Sequence, residues 1–236
     1  MSRKHASVTV RPLVPADMAQ VIEMGRRIYP HDAPYTQEHF NAHLSVFPHG
    51  QLVAVDDRTG YVVGYAASLI VRWDEYEVTG NWDSFTDGGY FGNHDPVHGR
   101  TLYGADIMVH PDIRGRGVGG AIYKARFDLC RQLKLLRIRA GARLRGYGQY
   151  HNALTPREYV MLVIRGDLHD PTLSFQLKHG FRVMAVVDHY LHADPESGGY
   201  AALIEWINHQ VARRPDYAHR PREFGRPRKK RAKHLP

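Results

Sequence analysis

The sequence predicts a mixed α/β domain that ends near residue 207. Short segments alternate apolar and polar residues as strands do, and longer segments between them repeat apolar residues at helical spacing. The chain has 236 residues, of which 43% are hydrophobic, as is ordinary for a globular domain. No apolar run approaches the roughly 18 residues that a membrane-spanning helix needs. We therefore expect one domain of packed strands and helices.

The first predicted elements are a strand and two helices. Residues 8–11 alternate as a short strand, and Asp17 supplies an N-cap signal for the helix that follows. A second helix is predicted over residues 36–46 and ends before Pro48. This order places two helices before the central strands.

A hairpin and a long insert come next. Residues 52–55 and 61–72 predict two strands, joined by a turn at residues 57–60. Residues 73–100 then lack a clear period, but they contain two Trp, two Tyr and two Phe, which argues against disorder. A loop of this length inside a compact domain is usually functional.

The second half alternates strands with helices. Residues 102–109 predict a strand and residues 118–134 a helix with one apolar face. Two further helices start at Thr155-Pro156 and at Asp170-Pro171, where a capping residue precedes a proline. The remaining strands are predicted at residues 136–142, 183–189 and 201–206.

The net charge of +8 belongs to the C-terminal segment. Residues 208–236 hold ten Lys or Arg and two acids, so residues 1–207 carry 22 basic and 22 acidic groups and are neutral. We expect residues 208–236 to be a disordered basic tail, either a solvated extension or a tether to nucleic acid. The lone cysteine, Cys130, and an N-terminus without a signal-like apolar segment favour a soluble cytoplasmic protein.

The stretch "DIRGRGVGG", residues 112–120, carries the strongest functional signal. A dinucleotide site would match Gly115-x-Gly117-x-x-Gly120, but the acid expected about 20 residues later is absent. Five residues also separate the strand from the first glycine, and no Gly-Lys-Ser/Thr ending marks a nucleoside-triphosphate loop. A turn alone needs one or two glycines rather than four.

An anion cradle explains this stretch best. Amides of residues 115–120 would converge on a diphosphate at the start of the next helix, whose dipole favours negative charge. Glycines allow phosphate oxygens to approach the backbone, and Arg114 and Arg116 add charge at the rim.

At these residues the chain resembles the GCN5-related N-acetyltransferases, the GNAT family. "VHPDIRGRGVGG" contains the acyl-coenzyme A signature of that family, Arg114-Gly115-Arg116-Gly117-Val118-Gly119. The strand "ADIMVHP" before it and the late "SFQLKHGF" also fit. The segment "WDEYEVTGNWDSFTDGGYFGNHDP" resembles the acetyltransferase module that is often joined ahead of a carbon–nitrogen hydrolase domain, although here the basic tail follows the module.

The resemblance implies a GNAT-like acyl-CoA N-acyltransferase fold over residues 1–207, with a central, mostly antiparallel sheet of about seven strands flanked by helices. It implies direct transfer of an acetyl group from acetyl-CoA to a primary amine. Backbone amides near Met108 and Val109 would bind the pantetheine arm and polarise the thioester carbonyl. The cofactor cradle would be Arg114, Gly115, Arg116, Gly117, Val118, Gly119 and Gly120.

Both positions that usually transfer protons in such a family hold other residues here. Ala105 replaces a strand glutamate, and Gln176 replaces a tyrosine. The 73–100 insert would then lie on the substrate side and supply a base, for which Glu75 and Glu77 are the candidates, with Asp83, Asp87 and His94 as further options. Tyr103 shares strand parity with Ala105 and Val109 and is a third catalytic candidate, expected to point into the same cleft. Asp106 is predicted to face the opposite way and to be structural. The candidate walls of the substrate pocket are Trp73, Trp82, Tyr90 and Phe91.

Several alternatives stay open. The altered positions also fit a non-catalytic acyl-CoA-binding module, and the tail fits a protein that contacts nucleic acid only through that segment. His94 and His98 lack a third ligand, so no metal site is predicted, and Cys130 is expected to be inert. The acceptor is either a small-molecule amine or a protein amine, and a homodimer is the default assembly.

Overall fold

A computed structural model describes residues 6–29, 35–77, 79–192 and 194–225. The strands are β1 Val8–Pro12, β2 Leu52–Asp56, β3 Val62–Val71, β4 Thr101–Val109, β5 Arg137–Arg143, β6 Arg182–Val187 and β7 Ala201–Ile207. The helices are α1 Met18–Ile28, α2 Gln37–Val46, α3 Trp82–Thr86, α4 Val118–Gln132, α5 Pro156–Arg165 and α6 Leu173–Lys178.

The strands form one mixed sheet. Within the described residues the sheet has seven strands in the order β1-β2-β3-β4-β5-β7-β6. All neighbours are antiparallel except β4 and β5, which run parallel. The predicted mixed α/β fold with about seven mostly antiparallel strands is confirmed.

Local capping chemistry explains where several helices begin. Thr155 accepts from the Glu158 amide while Glu158 binds the Thr155 amide, so α5 starts with the capping box that its sequence indicates. Asp17 differs from its predicted role, because its carboxylate binds Arg11 and the amide of Val14 instead of capping α1.

Each face of the sheet is covered by its own helices. On one face α4, α5 and α6 pack against alternate β5 residues such as Ile138 and Ala140. On the other face α1, α2 and the 73–100 insert cover a core that includes Tyr65 and Tyr103. We call this second side the insert face.

The insert is folded onto the sheet. Its aromatic residue Phe85 is fully buried, and Trp82 donates its indole N–H to the carbonyl of Ala105 at 2.9 Å. His94 accepts from the amide of Ile70 at 3.0 Å and is therefore structural. The aromatic content of this segment thus produces a packed layer over the insert face.

The described part of the predicted tail is ordered. Phe224 is buried, and Arg220 donates to the Glu205 carboxylate at 2.7 Å. The prediction that disorder begins at residue 208 therefore does not hold for residues 208–225, and residues 226–236 lie outside the described residues. None of the helices in the described ranges has the length and apolar character needed to cross a membrane.

Candidate functional site

The predicted cradle is a glycine turn between β4 and α4. A short 3-10 turn at Pro111–Ile113 leaves the strand, and the chain then passes through Gly115 and Gly117. These two glycines have φ of 78° and 91°, a left-handed conformation that costs other residues about 1–2 kcal/mol. Gly117 is the N-cap of α4, so this conformation aims the chain directly into the helix.

Five amides of this turn have no acceptor in the described part of the chain. The first helical bond of α4 runs from the Ala121 amide to the Gly117 carbonyl at 3.1 Å. The amides of Gly115, Gly117, Val118, Gly119 and Gly120 precede that bond and have no described partner. Free amides at the positive end of a 15-residue helix can receive an anion.

Gly119 is a position where close packing requires glycine. A Cβ at this position would lie 3.0 Å from the ring of Phe175 on α6, so the missing side chain lets the two helices meet closely. The four-glycine stretch therefore combines two left-handed turn positions with a packing position.

Basic side chains surround the cradle. Arg114 is partly buried, and its pKa is lowered by burial and then by the neighbouring Arg145. Arg143 at the end of β5 pairs with Asp194 at 2.5 Å, and Arg145 pairs with Glu196 at 3.1 Å. The end of β5 thus places two arginines beside the cradle, each held by an acid.

The central sheet opens next to this cradle. β4 and β5 pair only at Thr101↔Arg137, Leu102↔Ile138 and Tyr103↔Arg139, although β4 continues to Val109. Beyond Tyr103 the two strands diverge, and Met108 and Val109 lie on the unpaired section. Arg126 of α4 fills the start of the gap, since a Cβ on Gly104 would lie 2.9 Å from its Nη1 atom.

A β-bulge in β4 reverses the side-chain order that the sequence predicts. Ala67 pairs with Asp106 and Ser68 pairs with Gly104, so Ala105 is the extra residue. The Nη2 atom of the buried Arg126 donates to the carbonyls of Ala67 at 2.9 Å and Asp106 at 2.5 Å. The bulge and this guanidinium together fix the backbone where the strands part.

Because of the bulge, Asp106 faces the insert side together with Tyr103, and the prediction that it points away is wrong. Its Oδ1 atom accepts from the Tyr29 hydroxyl at 3.3 Å and from the Ile107 amide at 2.7 Å. Its Oδ2 atom is buried without a partner among the described residues. Burial raises the pKa of Asp106 to about 6, against smaller opposing effects that include Arg126.

Tyrosines form the surroundings of this carboxylate. The hydroxyl of Tyr35 is buried without a described partner, and its ring lies 6.0 Å from Tyr65 and 6.1 Å from Trp82. Burial, followed by the charge of Asp106, raises the pKa of Tyr35 well above its ordinary value, so its hydroxyl is protonated. We call Asp106, Tyr29 and Tyr35 the carboxylate pocket.

The catalytic candidates predicted from sequence lie in two places. Tyr103 is fully buried and its hydroxyl hydrogen-bonds to that of Tyr190, while burial raises its pKa well above the ordinary value. Glu75 pairs with Arg72 at 2.9 Å, and Glu77 is exposed. No hydrogen bond or ion pair joins either glutamate to β4 in the described residues. The structure therefore brings neither glutamate to the carboxylate pocket, whereas Tyr103 lies near it, since the interaction with Tyr35 is among the causes of its raised pKa.

The four predicted pocket walls have different positions. Trp82 borders the carboxylate pocket through its bond to Ala105, and Tyr90 is partly exposed and packs on His39 at 4.2 Å. Phe91 is fully buried against His43, so it is a core residue and not a substrate wall. Trp73 stacks on Phe85 at the opposite end of the sheet from the cradle.

Gln176, at the altered tyrosine position, contacts a tyrosine from another helix. Its Nε2 atom donates to the hydroxyl of Tyr123 on α4 at 3.0 Å, and both side chains are buried. Tyr123 and Arg126 were not predicted as site residues. The sequence did contain a signal for Arg126: it lies four residues after Ile122, so a charged residue stands on the apolar face of the helix.

The described residues contain no group of three His, Cys, Asp or Glu side chains that could hold a metal ion. Cys130 is buried, and burial raises its pKa to about 12, so its thiol is inert at neutral pH.

Comparison with known proteins identifies related sequences. The model of the Acetyltransferase (GNAT) family matches residues 18–145. The protein named Probable hydrolase YhcX, from Bacillus subtilis (strain 168), is 38% identical over 208 residues. That match covers 88% of this chain and 40% of the relative, so the chain spans less than half the length of that protein.

A second relative is similar in length. The protein named Uncharacterized N-acetyltransferase YkwB, also from Bacillus subtilis (strain 168), is 32% identical over 210 residues, which is 87% of this chain and 91% of YkwB. Among solved structures, the GNAT-like decarboxylase GphF in complex with isobutyryl-CoA shares the fold. It has a TM-score of 0.69 and 20% identity, over 84% of this chain and 98% of that one.

Proposed function

Because the chain belongs to the GNAT acetyltransferase family, we propose that it transfers the acetyl group of acetyl-coenzyme A directly to a primary amine. The name of YkwB, the isobutyryl-CoA bound to GphF and the free amides of the cradle support this proposal. The acceptor is a small-molecule or protein amine.

The cradle fits the diphosphate of coenzyme A. The amides of residues 115–120 would hold phosphate oxygens, with Arg114 and Arg116 at the rim, and the unpaired backbone at Met108 and Val109 would face the pantetheine arm. Bound acetyl-CoA supplies an activated acyl group and a thiolate leaving group. The protein supplies positioning of the amine and fixed N–H donors.

Asp106 is the proton acceptor that this proposal requires. An amine attacks only after losing a proton, and an unperturbed lysine has a pKa near 10.4. A buried carboxylate with a pKa of about 6 is ionised at neutral pH yet basic enough to take a proton. Its unpartnered Oδ2 atom, beside the diverging strands, is the single observation that carries the catalytic assignment.

A non-catalytic acyl-CoA-binding module is the rival. It was favoured because Ala105 and Gln176 replace the usual proton-transfer residues. The carboxylate pocket weakens that reason, because the bulge brings Asp106 to the insert face one residue after Ala105.

The test is thiol release from acetyl-CoA with pooled amines: polyamines, amino sugars, amino acids and peptides with free N-termini. The buried Cys130 leaves little background in such an assay. We expect amine-dependent release that falls about 100-fold in Asp106→Asn, the order expected for a general base. Asp167→Asn, an exposed aspartate just after α5, is the matched control. Tight acetyl-CoA binding without release from any amine would favour the rival.

A further inference from the structure

A cavity lies at the end of the insert face that is remote from the cradle. It encloses about 770 Å³ where β4 and β5 begin, and four arginines and two histidines line it: Arg72, Arg100, Arg137, Arg139, His98 and His219. β4 runs nine residues from this end to the cradle, so the two places are roughly 26 Å apart at about 3.3 Å per residue. We call it the basic cavity.

The parallel strand pair assembles this cavity. Thr101 pairs with Arg137, and the Leu136 amide donates to the Arg100 carbonyl at 2.9 Å. Ile138 packs against the helices on the other face of the sheet. Because side chains alternate along a strand, Arg137 and Arg139 on either side of it point to the insert face. Arg100, which precedes β4, therefore shares one wall with Arg137 and Arg139 of β5.

The positive charge is only partly balanced. Glu205 is fully buried and accepts from Arg139 at 2.8 Å, from Arg220 at 2.7 Å and from Arg137 at 3.4 Å. One carboxylate thus faces three guanidinium groups. Burial, and to a lesser extent the neighbouring Arg137 and Arg220, lowers the pKa of Arg139 to about 10 despite the opposing effect of Glu205.

Donors remain available at the cavity wall. The Nε atom of Arg137 is buried without a described partner, and the contact of its Nη1 atom with Glu205 is long, at 3.4 Å. Arg100 is exposed and forms no ion pair with any described acid. Arg72, by contrast, is already paired with Glu75 and Asp74 at the rim. Arg100 and Arg137 are therefore the groups that can accept a ligand.

We propose that the basic cavity binds a small dianion, either a phosphate group or a pair of carboxylates, through Arg100 and Arg137. Guanidinium groups pair with both chemistries in a bidentate manner. The volume accommodates a small ligand, since small-molecule pockets occupy roughly 300–1,000 Å³. The inference is independent of acetyl transfer.

Calorimetric titration at constant ionic strength tests the proposal, with inorganic phosphate and succinate as separate probes and acetate as the monoanion control. We expect phosphate or succinate to bind and acetate not to bind; the stronger probe identifies the ligand chemistry. Arg100→Gln should weaken binding about tenfold or more, since a charge-assisted bond is lost. Arg58→Gln, an exposed arginine in the β2–β3 turn, is the matched control and should bind as the wild type does.

The cradle also attracts anions, so it must be separated from the cavity. Gly117→Glu places bulk and negative charge in the cradle and should leave phosphate binding at the basic cavity intact. Arg137→Gln should reproduce the loss seen in Arg100→Gln. Absence of binding by both dianions, equal binding in wild type and Arg100→Gln, or loss of binding only in Gly117→Glu would overturn the proposal.

Discussion

The cradle and the basic cavity both attract anions, but they are built in opposite ways. The cradle relies on neutral main-chain amides without a described acceptor, in a turn that two left-handed glycines shape. The basic cavity relies on charged side chains crowded around the buried Glu205. Main-chain donors carry no net charge, so they need no buried counterion. Clustered guanidinium groups do need one, and the cavity therefore depends on Glu205 for its stability as well as its shape.

Gly117→Glu should have the largest effect on the cradle. We expect coenzyme A affinity to fall by about 1,000-fold or more, because a carboxylate would occupy the anion site in a backbone conformation that disfavours it. Gly60→Glu is the matched control: Gly60 also has a positive φ, 73°, but nothing lies near its Cβ position. Calorimetry with coenzyme A measures both variants, and similar losses in both would remove the cradle assignment.

Glu205→Gln should have the largest effect on the basic cavity. Removing the buried carboxylate leaves three guanidinium groups unpaired, so the free energy of unfolding should fall by about 3–5 kcal/mol. The control is Glu223→Gln, which breaks the exposed pair with Arg157 and should cost about 1 kcal/mol or less. Urea denaturation measures both variants.

The same variant links stability to the ligand proposed for the cavity. A dianion that binds only the folded state stabilises it by mass action. Phosphate should therefore raise the stability of Glu205→Gln more than that of Glu205→Gln combined with Arg100→Gln. Equal gains in the two proteins would mean that phosphate acts elsewhere.

The sequence predicted the cradle because its determinants are local. Four glycines between an apolar strand and a helical stripe lie within nine residues; two of them contribute through a left-handed backbone and a third through its missing Cβ. Most strands and helices were predictable for the same reason, since alternation and caps are also short-range signals.

The carboxylate pocket and the basic cavity were missed because long-range pairing creates them. The bulge at Ala105 depends on the register with β3, and that one residue turns Asp106 to the insert face. Arg100 and Arg137 meet only because β4 pairs in parallel with β5. The ordered residues 208–225 depend on Arg220 reaching Glu205, which basic composition alone does not reveal.

Asp106→Asn tests the proton-transfer role that we propose for the carboxylate pocket. In the wild type, activity should rise as pH increases through about 6, because the carboxylate must be ionised to accept a proton. In Asp106→Asn the rate should be about 100-fold lower and this limb of the pH profile should disappear. Steady-state rates measured from pH 5 to pH 9 check this, and an unchanged limb would assign it to another group.

Asp106→Asn should lower activity, but at neutral pH it should raise stability relative to wild type. The folded-state pKa is raised above the unfolded value, so the carboxyl stabilises the fold at low pH and loses that contribution as pH rises through about 6. At neutral pH the variant, which has no buried charge, should therefore unfold at a higher urea concentration relative to wild type than it does at pH 4. A pH-independent difference would contradict the burial of this charge.

Arg114→Ala should have the smallest effect on coenzyme A affinity. It measures how much the charge at the rim contributes to binding. Arg114 stands at the rim beside Arg145, and salt screens such charges over about 10 Å at 0.1 M. We expect coenzyme A binding to weaken about threefold to tenfold at low salt and less than about twofold at 0.5 M. The control, Arg165→Ala, removes an exposed arginine from the end of α5 and should change neither value. A loss that is equally large at high salt would mean that Arg114 makes a direct, desolvated contact, and the distinction between a main-chain site and a side-chain site would then no longer hold.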